Sequence, residues 1–182
     1  MGLSLIRTIR TNDAVYCSYL FIQNFYSLPI ETTITTREFT EKNRDALGDI
    51  FSKYWNDPVF LEELSDALTK SPAKFYVAQR DNGVVGVVGH KEVPDYLRKF
   101  ARTNNPVELY IIASKVKGCG IGKVLKSKII DVARDEGFSE MLLFNPGTHS
   151  DSWKFHDTFD FQRMGSVIPP DDDEGCVWSG IL

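Results

Sequence analysis

Residues 108–130 constrain the fold more than any other segment, because an apolar strand passes through a glycine-rich turn into an amphipathic helix. The apolar run predicts a buried strand over residues 107–113. Apolar positions three and four residues apart then predict a helix over residues 121–136, which Gly137 ends. A second apolar run over residues 140–144 completes a strand–helix–strand unit, whose two strands pair in parallel. The chain is therefore predicted to be an α/β protein.

The segments around this unit predict a mixed sheet. Further strands are predicted at residues 33–38, 74–80, 84–90, 162–168 and 176–182. Asp81-Asn82-Gly83 predicts a tight hairpin turn between the second and third strands. Residues 46–55 carry apolar side chains on one helical face, Asp57-Pro58 begins a second helix, and short helices are predicted near residues 94–102 and 152–159.

A chain of 182 residues is expected to form one domain. We predict a single domain over residues 31–182 and an N-terminal extension over residues 1–30 that packs on it. The extension is rich in aromatic residues and fits a strand pair or a short helix equally well.

Composition excludes several classes of protein. A hydrophobic content of 42% and a net charge of −4 argue against a disordered chain and against a nucleic-acid-binding surface. Cys17, Cys119 and Cys176 are scattered, with no Cys-x-x-Cys pair, so neither a disulfide framework nor a zinc site is indicated. The longest apolar stretch is too short to cross a bilayer. We expect a cytoplasmic protein with no metal and no membrane or nucleic-acid partner.

The glycine-rich turn has the features of an anion-binding site. Its glycines, Gly118, Gly120 and Gly122, permit close backbone approach, and the helix start leaves N–H groups unpaired. Lysines cluster here without an acid until Asp131, at Lys115, Lys117, Lys123, Lys126 and Lys128. A phosphate ligand would relieve their repulsion by the helix dipole, whereas a solvated basic face is the plainer interpretation. The Walker A and dinucleotide motifs both fail, since Val124 and Lys123 stand where they require Ser or Thr and Gly.

The turn resembles the acetyl-CoA motif of the GNAT-type N-acetyltransferase superfamily, Arg/Gln-x-x-Gly-x-Gly/Ala, with Lys117 in place of Arg or Gln. Residues 152–161, SWKFHDTFDF, resemble the family's second motif in degenerate form. The resemblance covers about residues 31–182. It implies a twisted, mixed sheet of about seven strands, splayed between strands 4 and 5 and flanked by about four helices.

The resemblance also implies how acetyl-CoA would bind as co-substrate. The backbone of the strand end would pair with the pantetheine arm, at Ile111, Ile112, Ala113 and Ser114. The turn would hold the pyrophosphate by amides and lysine charge, at Lys117, Gly118, Cys119, Gly120, Ile121, Gly122 and Lys123. His149 corresponds to the family's asparagine at a helix start.

Two residues are candidates for proton transfer. Glu108 is the candidate general base, because Glu108, Tyr110 and Ile112 are expected to share one strand face. The family's catalytic tyrosine corresponds to His156, which would serve as general acid if it were protonated. A solvent-exposed carboxylate and an ordinary helix histidine are the plainer interpretations of the two residues.

The implied function is acetyl transfer to a primary amine of a small molecule or peptide, by a monomer or a homodimer. Tyr54, Trp55 and Asn56 are expected beside the acceptor groove. The acidic residues 171–174 would attract a cationic amine or form a solvated hairpin tip. Two other functions stay open: a non-catalytic acyl-CoA-binding or regulatory module, and a nucleotide-binding protein that uses the same turn.

Overall fold

A computed structural model describes residues 33–70, 72–170 and 172–182 of the chain. The predicted extension over residues 1–30 lies outside this part. Seven strands form one sheet: β1 Thr35–Glu38, β2 Lys74–Arg80, β3 Gly83–Glu92, β4 Pro106–Ser114, β5 Glu140–Pro146, β6 Gln162–Val167 and β7 Gly175–Ile181. Their order is β1-β2-β3-β4-β5-β7-β6, so the predicted mixed sheet of seven strands is confirmed.

The described residues contain five α-helices, one more than expected: α1 Arg44–Phe51, α2 Pro58–Lys70, α3 Asp95–Arg98, α4 Ile121–Asp135 and α5 Trp153–His156. Two 3-10 helices, Glu41–Asn43 and Gly147–Ser152, precede α1 and α5. The predicted first helix is too long, because α1 ends at Phe51 and the chain turns there. The amides of Tyr54 and Trp55 both donate to the carbonyl of Phe51, at 2.9 and 3.0 Å. No helix in the described part of the chain is long and apolar enough to cross a membrane.

The predicted hairpin between β2 and β3 is confirmed. Asp81 and Asn82 have φ angles of 50° and 63°, the left-handed region that a type I′ turn needs at both central positions. The turn fixes the antiparallel register next to it, with Arg80 opposite Gly83. A β-bulge between Ala78 and Gln79 then shifts the register, which ends with Lys74 opposite His90.

β4 and β5 pair in parallel over a short stretch and then separate. Their described register holds three pairs, and the last joins Glu108 to Leu142. β4 continues to Ser114 along β3, while β5 continues to Pro146 along β7. The expected splay is therefore present, and it opens at Glu108.

Apolar side chains pack on both faces of the sheet. On one face, Ile121, Leu125 and Ile129 of α4 pack against the central strands. On the other, α1 and α2 cover β2 and β3 through residues such as Ile50 and Leu64. Gly86 of β3 lets α4 approach closely, because a Cβ there would lie 2.7 Å from Cγ2 of Ile121. The two helical layers leave the splay of β4 and β5 as the opening in the sheet.

Candidate active site

The glycine-rich turn lies between the end of β4 and the start of α4. Gly118 and Gly120 have φ angles of 80° and 77°, which favour glycine, and Gly120 is the N-cap of α4. The first turn of a helix leaves its amides without intrahelical partners, here those of Ile121, Gly122 and Lys123. No acid stands in this first turn. The turn therefore presents N–H groups at the positive end of the helix dipole, as predicted for an anion-binding site.

The lysines around the turn do not form one basic face. Lys115, Lys117 and Lys123 are exposed, whereas Lys126 is completely buried. Its Nζ lies 4.0 and 4.4 Å from the ring centroids of Phe161 and Phe159 and donates to the carbonyl of His156 at 3.3 Å. Burial lowers the pKa of Lys126 to about 7. Only the exposed lysines are thus placed to attract an anion at the turn.

The edge of β4 that faces the splay contains the residues predicted to pair with pantetheine. Ile111 and Ala113 are buried, while Ile112 and Ser114 are partly exposed. The Tyr54 hydroxyl donates to the carbonyl of Ser114 at 2.7 Å, so this carbonyl already has a partner. The free length of edge therefore runs from Leu109, after the last pair with β5, to Ala113.

A β-bulge in β4 corrects the expected arrangement of side chains. Gly89 of β3 pairs with Ile111 and His90 pairs with Leu109, so Tyr110 has no opposite residue. Tyr110 packs on the side of α1 and α2, whereas Ile112 packs against the core under α4. The prediction that Glu108, Tyr110 and Ile112 share one face is therefore wrong for Ile112, because the extra residue reverses the alternation.

Glu108 is buried where the two strands separate. It is 4% exposed, so the solvent-exposed alternative is excluded. Burial raises the pKa of Glu108 to about 7, against the opposing effect of Lys91, whose Nζ lies 3.7 Å from Oε2. No described residue donates a hydrogen bond to Oε2. A buried carboxylate with a vacant lone pair and a pKa near neutrality can accept a proton at neutral pH.

His156 has surroundings that oppose its predicted role. The side chain is 3% exposed, its Nε2 lies 3.1 Å from Nδ2 of Asn145, and its ring packs against Trp178. Burial and the nearby Lys126 lower the pKa of His156 to about 3. The imidazole is therefore neutral at neutral pH, so His156 is not an imidazolium that could protonate a leaving thiolate. The second motif contains α5, and its Phe155 ring packs against Gly122 of α4. A Cβ on Gly122 would lie only 3.2 Å from this ring.

The predicted acceptor residues lie at the same end of the splay as the glycine-rich turn. Nζ of Lys117 is 5.6 Å from the ring centroid of Tyr54. The Trp55 ring centroid is 6.0 Å from that of His149, which brings the turn after α1 to the 3-10 helix after β5. Asn56 is exposed before α2. The two aromatic residues thus border the opening near the glycine-rich turn.

The sequence matches the acetyltransferase (GNAT) family over residues 40–161. The chain belongs to this family. It is 25% identical to human N-acetyltransferase 8 over 146 residues, which are 75% of this chain and 60% of that protein. It covers 45% of the mouse relative probable N-acetyltransferase family 8 member 5, at 26% identity over 58% of this chain. The chain therefore spans about half of the length of the curated relatives it matches.

Solved GNAT structures share the fold. Ribosomal-protein-alanine N-acetyltransferase from Brucella melitensis superposes with a TM-score of 0.65 at 20% identity, over 81% of this chain and 99% of that one. A phosphinothricin acetyltransferase from Sinorhizobium meliloti, solved with acetyl-CoA, gives 0.62 at 19% identity, over 82% and 88% of the two chains. At these identities the likeness concerns the fold alone.

Several residues around this GNAT site were not predicted from the sequence. Lys91 lowers the pKa of Glu108, and the charge of Glu108 raises the pKa of Tyr96. Asn145 contacts His156. Lys91 faces Glu108 across the β3–β4 pair, and Asn145 of β5 contacts His156 of α5, so only the tertiary structure shows these partners. Lys126 had a usable signal, since it is four residues after Gly122 and three before Ile129, on the inward face of α4. The described residues hold no group of three or more acidic, histidine or cysteine side chains arranged to bind a metal.

Proposed function

We propose that this chain transfers an acetyl group from acetyl-CoA directly to a primary amine of a small molecule or peptide. One observation carries the proposal: β4 and β5 separate at a buried carboxylate, Glu108, and the freed edge of β4 leads to the amides of the glycine-rich turn. About 20 Å of extended strand joins the two places, at about 3.3 Å per residue. We propose that this edge binds a long ligand with phosphates at one end and a reacting group at the other.

The residues present fit acetyl-CoA, which supplies the acetyl group activated as a thioester. Amides from Gly118 to Lys123 would hold the pyrophosphate, since their φ angles and the helix start direct N–H groups outward. Lys117 and Lys123 are exposed and would add positive charge. The backbone from Ile111 to Ala113 would hydrogen-bond the pantetheine arm like an added strand. His149 would border the arm on the β5 side.

Glu108 would accept the proton of the amine, directly or through a water molecule. An alkyl ammonium has a pKa of about 10.4, so an ordinary carboxylate is a poor base for it. Burial raises the pKa of Glu108 from 4.5 to about 7, which narrows the gap by about 3 kcal/mol at about 1.4 kcal/mol per pKa unit. The burial that makes Glu108 unfavourable for stability therefore makes it a better base. His156, being neutral, would contribute through packing and its contact with Asn145.

The acceptor side is proposed from exposure and charge. Tyr54, Trp55 and Asn56 would line the entrance, and the exposed acidic residues Asp172 and Asp173 lie on the β6–β7 hairpin. The charges of Glu108 and Asp172 both contribute to the raised pKa of Tyr96. The acidic hairpin therefore lies near enough to the splay for its charge to act on the same residue as that of Glu108. We further propose a cytoplasmic location, because the scattered cysteines fit a reducing compartment. The protein is proposed to be a monomer or a homodimer.

Thermal unfolding with acetyl-CoA, CoA, ATP and NAD in parallel tests ligand binding. A ligand at about 100 times its dissociation constant stabilises by about 2.7 kcal/mol, about 5–10 °C for a domain of this size. Shifts with the CoA species alone would support the cleft, and a panel of alkyl and α-amines would then be tested for release of free thiol. Glu108→Gln is the matched control: it should keep the CoA shift and lose transfer.

The other two functions predict different results. A non-catalytic acyl-CoA-binding module would show the CoA shift but no thiol release with any amine. A nucleotide-binding protein would be stabilised more by ATP or NAD than by CoA. Either result, or no shift with any ligand, would refute the proposed acetyl transfer.

A further inference from the structure

Lys91 forms an ion pair with Glu108, but its ammonium stays beyond hydrogen-bond distance from the carboxylate. The two residues are directly opposite in the antiparallel register of β3 and β4. Nζ of Lys91 is 3.7 Å from Oε2 of Glu108, which is longer than a hydrogen bond. The same Nζ lies 3.6 Å from the ring centroid of Tyr110, over its face. The Tyr110 ring thus offers the ammonium a second attractive contact, and the ammonium does not cap the carboxylate.

The other groups near Glu108 carry no positive charge. β4 contributes the Tyr110 phenol, α3 contributes Tyr96, and β5 contributes the apolar Leu142 as the paired residue. Burial and the Glu108 charge raise the pKa values of both tyrosines, so both are neutral at neutral pH. Within the described residues, Lys91 is the one cation within 4 Å of this carboxylate. Burial therefore favours the protonated acid, and Lys91 alone opposes it.

We infer that Lys91 is a positioning residue that keeps Glu108 ionised while Tyr110 holds its ammonium off the carboxylate oxygen. The inference rests on the proposed function, in which Glu108 accepts a proton. A direct hydrogen bond from Lys91 would occupy the lone pair that the substrate needs. An ammonium at 3.7 Å supplies the charge and leaves Oε2 vacant. The arrangement keeps a large fraction of Glu108 ionised at neutral pH, and the ammonium does not cap the carboxylate.

Lys91→Met should shift the acidic limb of the pH profile of kcat/KM upward. An opposite charge this close lowers a carboxyl pKa by about 1–3 units. Raising the pKa of Glu108 from about 7 by about one unit would reduce the ionised fraction at pH 7 about five-fold, and kcat/KM with it, while activity recovers at higher pH. Lys91→Arg should restore most of the wild-type profile. Lys99→Met is the matched control, because Lys99 is exposed and stacks over Phe100 at 5.2 Å.

A second measurement does not depend on catalysis. The Glu108 carboxyl is titrated by NMR in protein labelled with ¹³C-glutamate, with its resonance assigned from Glu108→Gln. Lys91→Met should raise the observed pKa of Glu108, whereas Tyr110→Leu should lower it, because the ammonium can then reach the oxygen. An unchanged titration in Lys91→Met overturns the inference, whether or not any amine is acetylated. A shifted titration with an unshifted pH profile instead refutes Glu108 as the base and leaves the role of Lys91 in its ionisation standing.

Discussion

Replacing Lys126 with methionine is expected to stabilise the protein at neutral pH. The ammonium is completely buried, and the opposing effect of the Asp157 charge is smaller than that of burial. Burial lowers its pKa from 10.5 to about 7, which corresponds to about 4 kcal/mol of lost stability at pH 7. The rings of Phe159 and Phe161 attract a desolvated cation by about 2 kcal/mol. Desolvation is the larger effect, so Lys126→Met should gain about 2 kcal/mol.

Urea unfolding at pH 7 and pH 9 measures this gain. The folded protein binds fewer protons at Lys126 than the unfolded chain between pH 7 and 10.5, so wild-type stability rises across this window. The advantage of the variant should therefore be largest at pH 7 and smaller at pH 9. Lys123→Met, at an exposed position of α4, should change stability by less than about 0.5 kcal/mol. If Lys126→Met is less stable than wild type at both pH values, the aromatic contacts outweigh desolvation and the reasoning is refuted.

Three further predictions concern the site. Glu108→Gln should lower kcat by about 10²–10⁴-fold and raise the unfolding free energy by about 3 kcal/mol at pH 8 but not at pH 4. The raised pKa makes the stability of the wild type fall as pH rises from 4.5 through 7, as chemical unfolding will show. Between pH 7 and pH 4, the unfolding free energy of the wild type should fall by about 3 kcal/mol more than that of His156→Gln. The reason is that the imidazole of the folded protein is protonated only near pH 3, whereas that of the unfolded chain is protonated already at pH 4; equal falls would contradict the burial of His156. Gly118→Ala should lower the unfolding free energy by about 1 kcal/mol, because residue 118 has a φ of 80°, and it should weaken CoA binding measured by calorimetry. An unchanged affinity would show that the turn does not bind CoA.

Some of the site follows from short-range sequence signals. The turn at Asp81 and Asn82 needs only residues that tolerate positive φ, and the start of α4 needs only Gly120 before a helical repeat. These features depend on neighbours within a few positions, so the sequence predicts them well. The parallel pairing of β4 and β5 followed from the crossover helix between them. The family resemblance added the splay.

The chemistry of the site depended on the tertiary structure. The bulge at Tyr110, the contact of Lys91 with Glu108 and the neutral state of His156 all arise between residues far apart in the chain. Lys123 and Lys126 are the same residue type three positions apart, yet one is exposed and the other is completely buried.

The sequence by itself thus determined where most strands, turns and the start of α4 lie, because those depend on local backbone preferences and apolar spacing. Only the tertiary structure decided which carboxylate and which amines are removed from water. Ionisation depends on burial and on charges across space, and neither is encoded within a short window of residues.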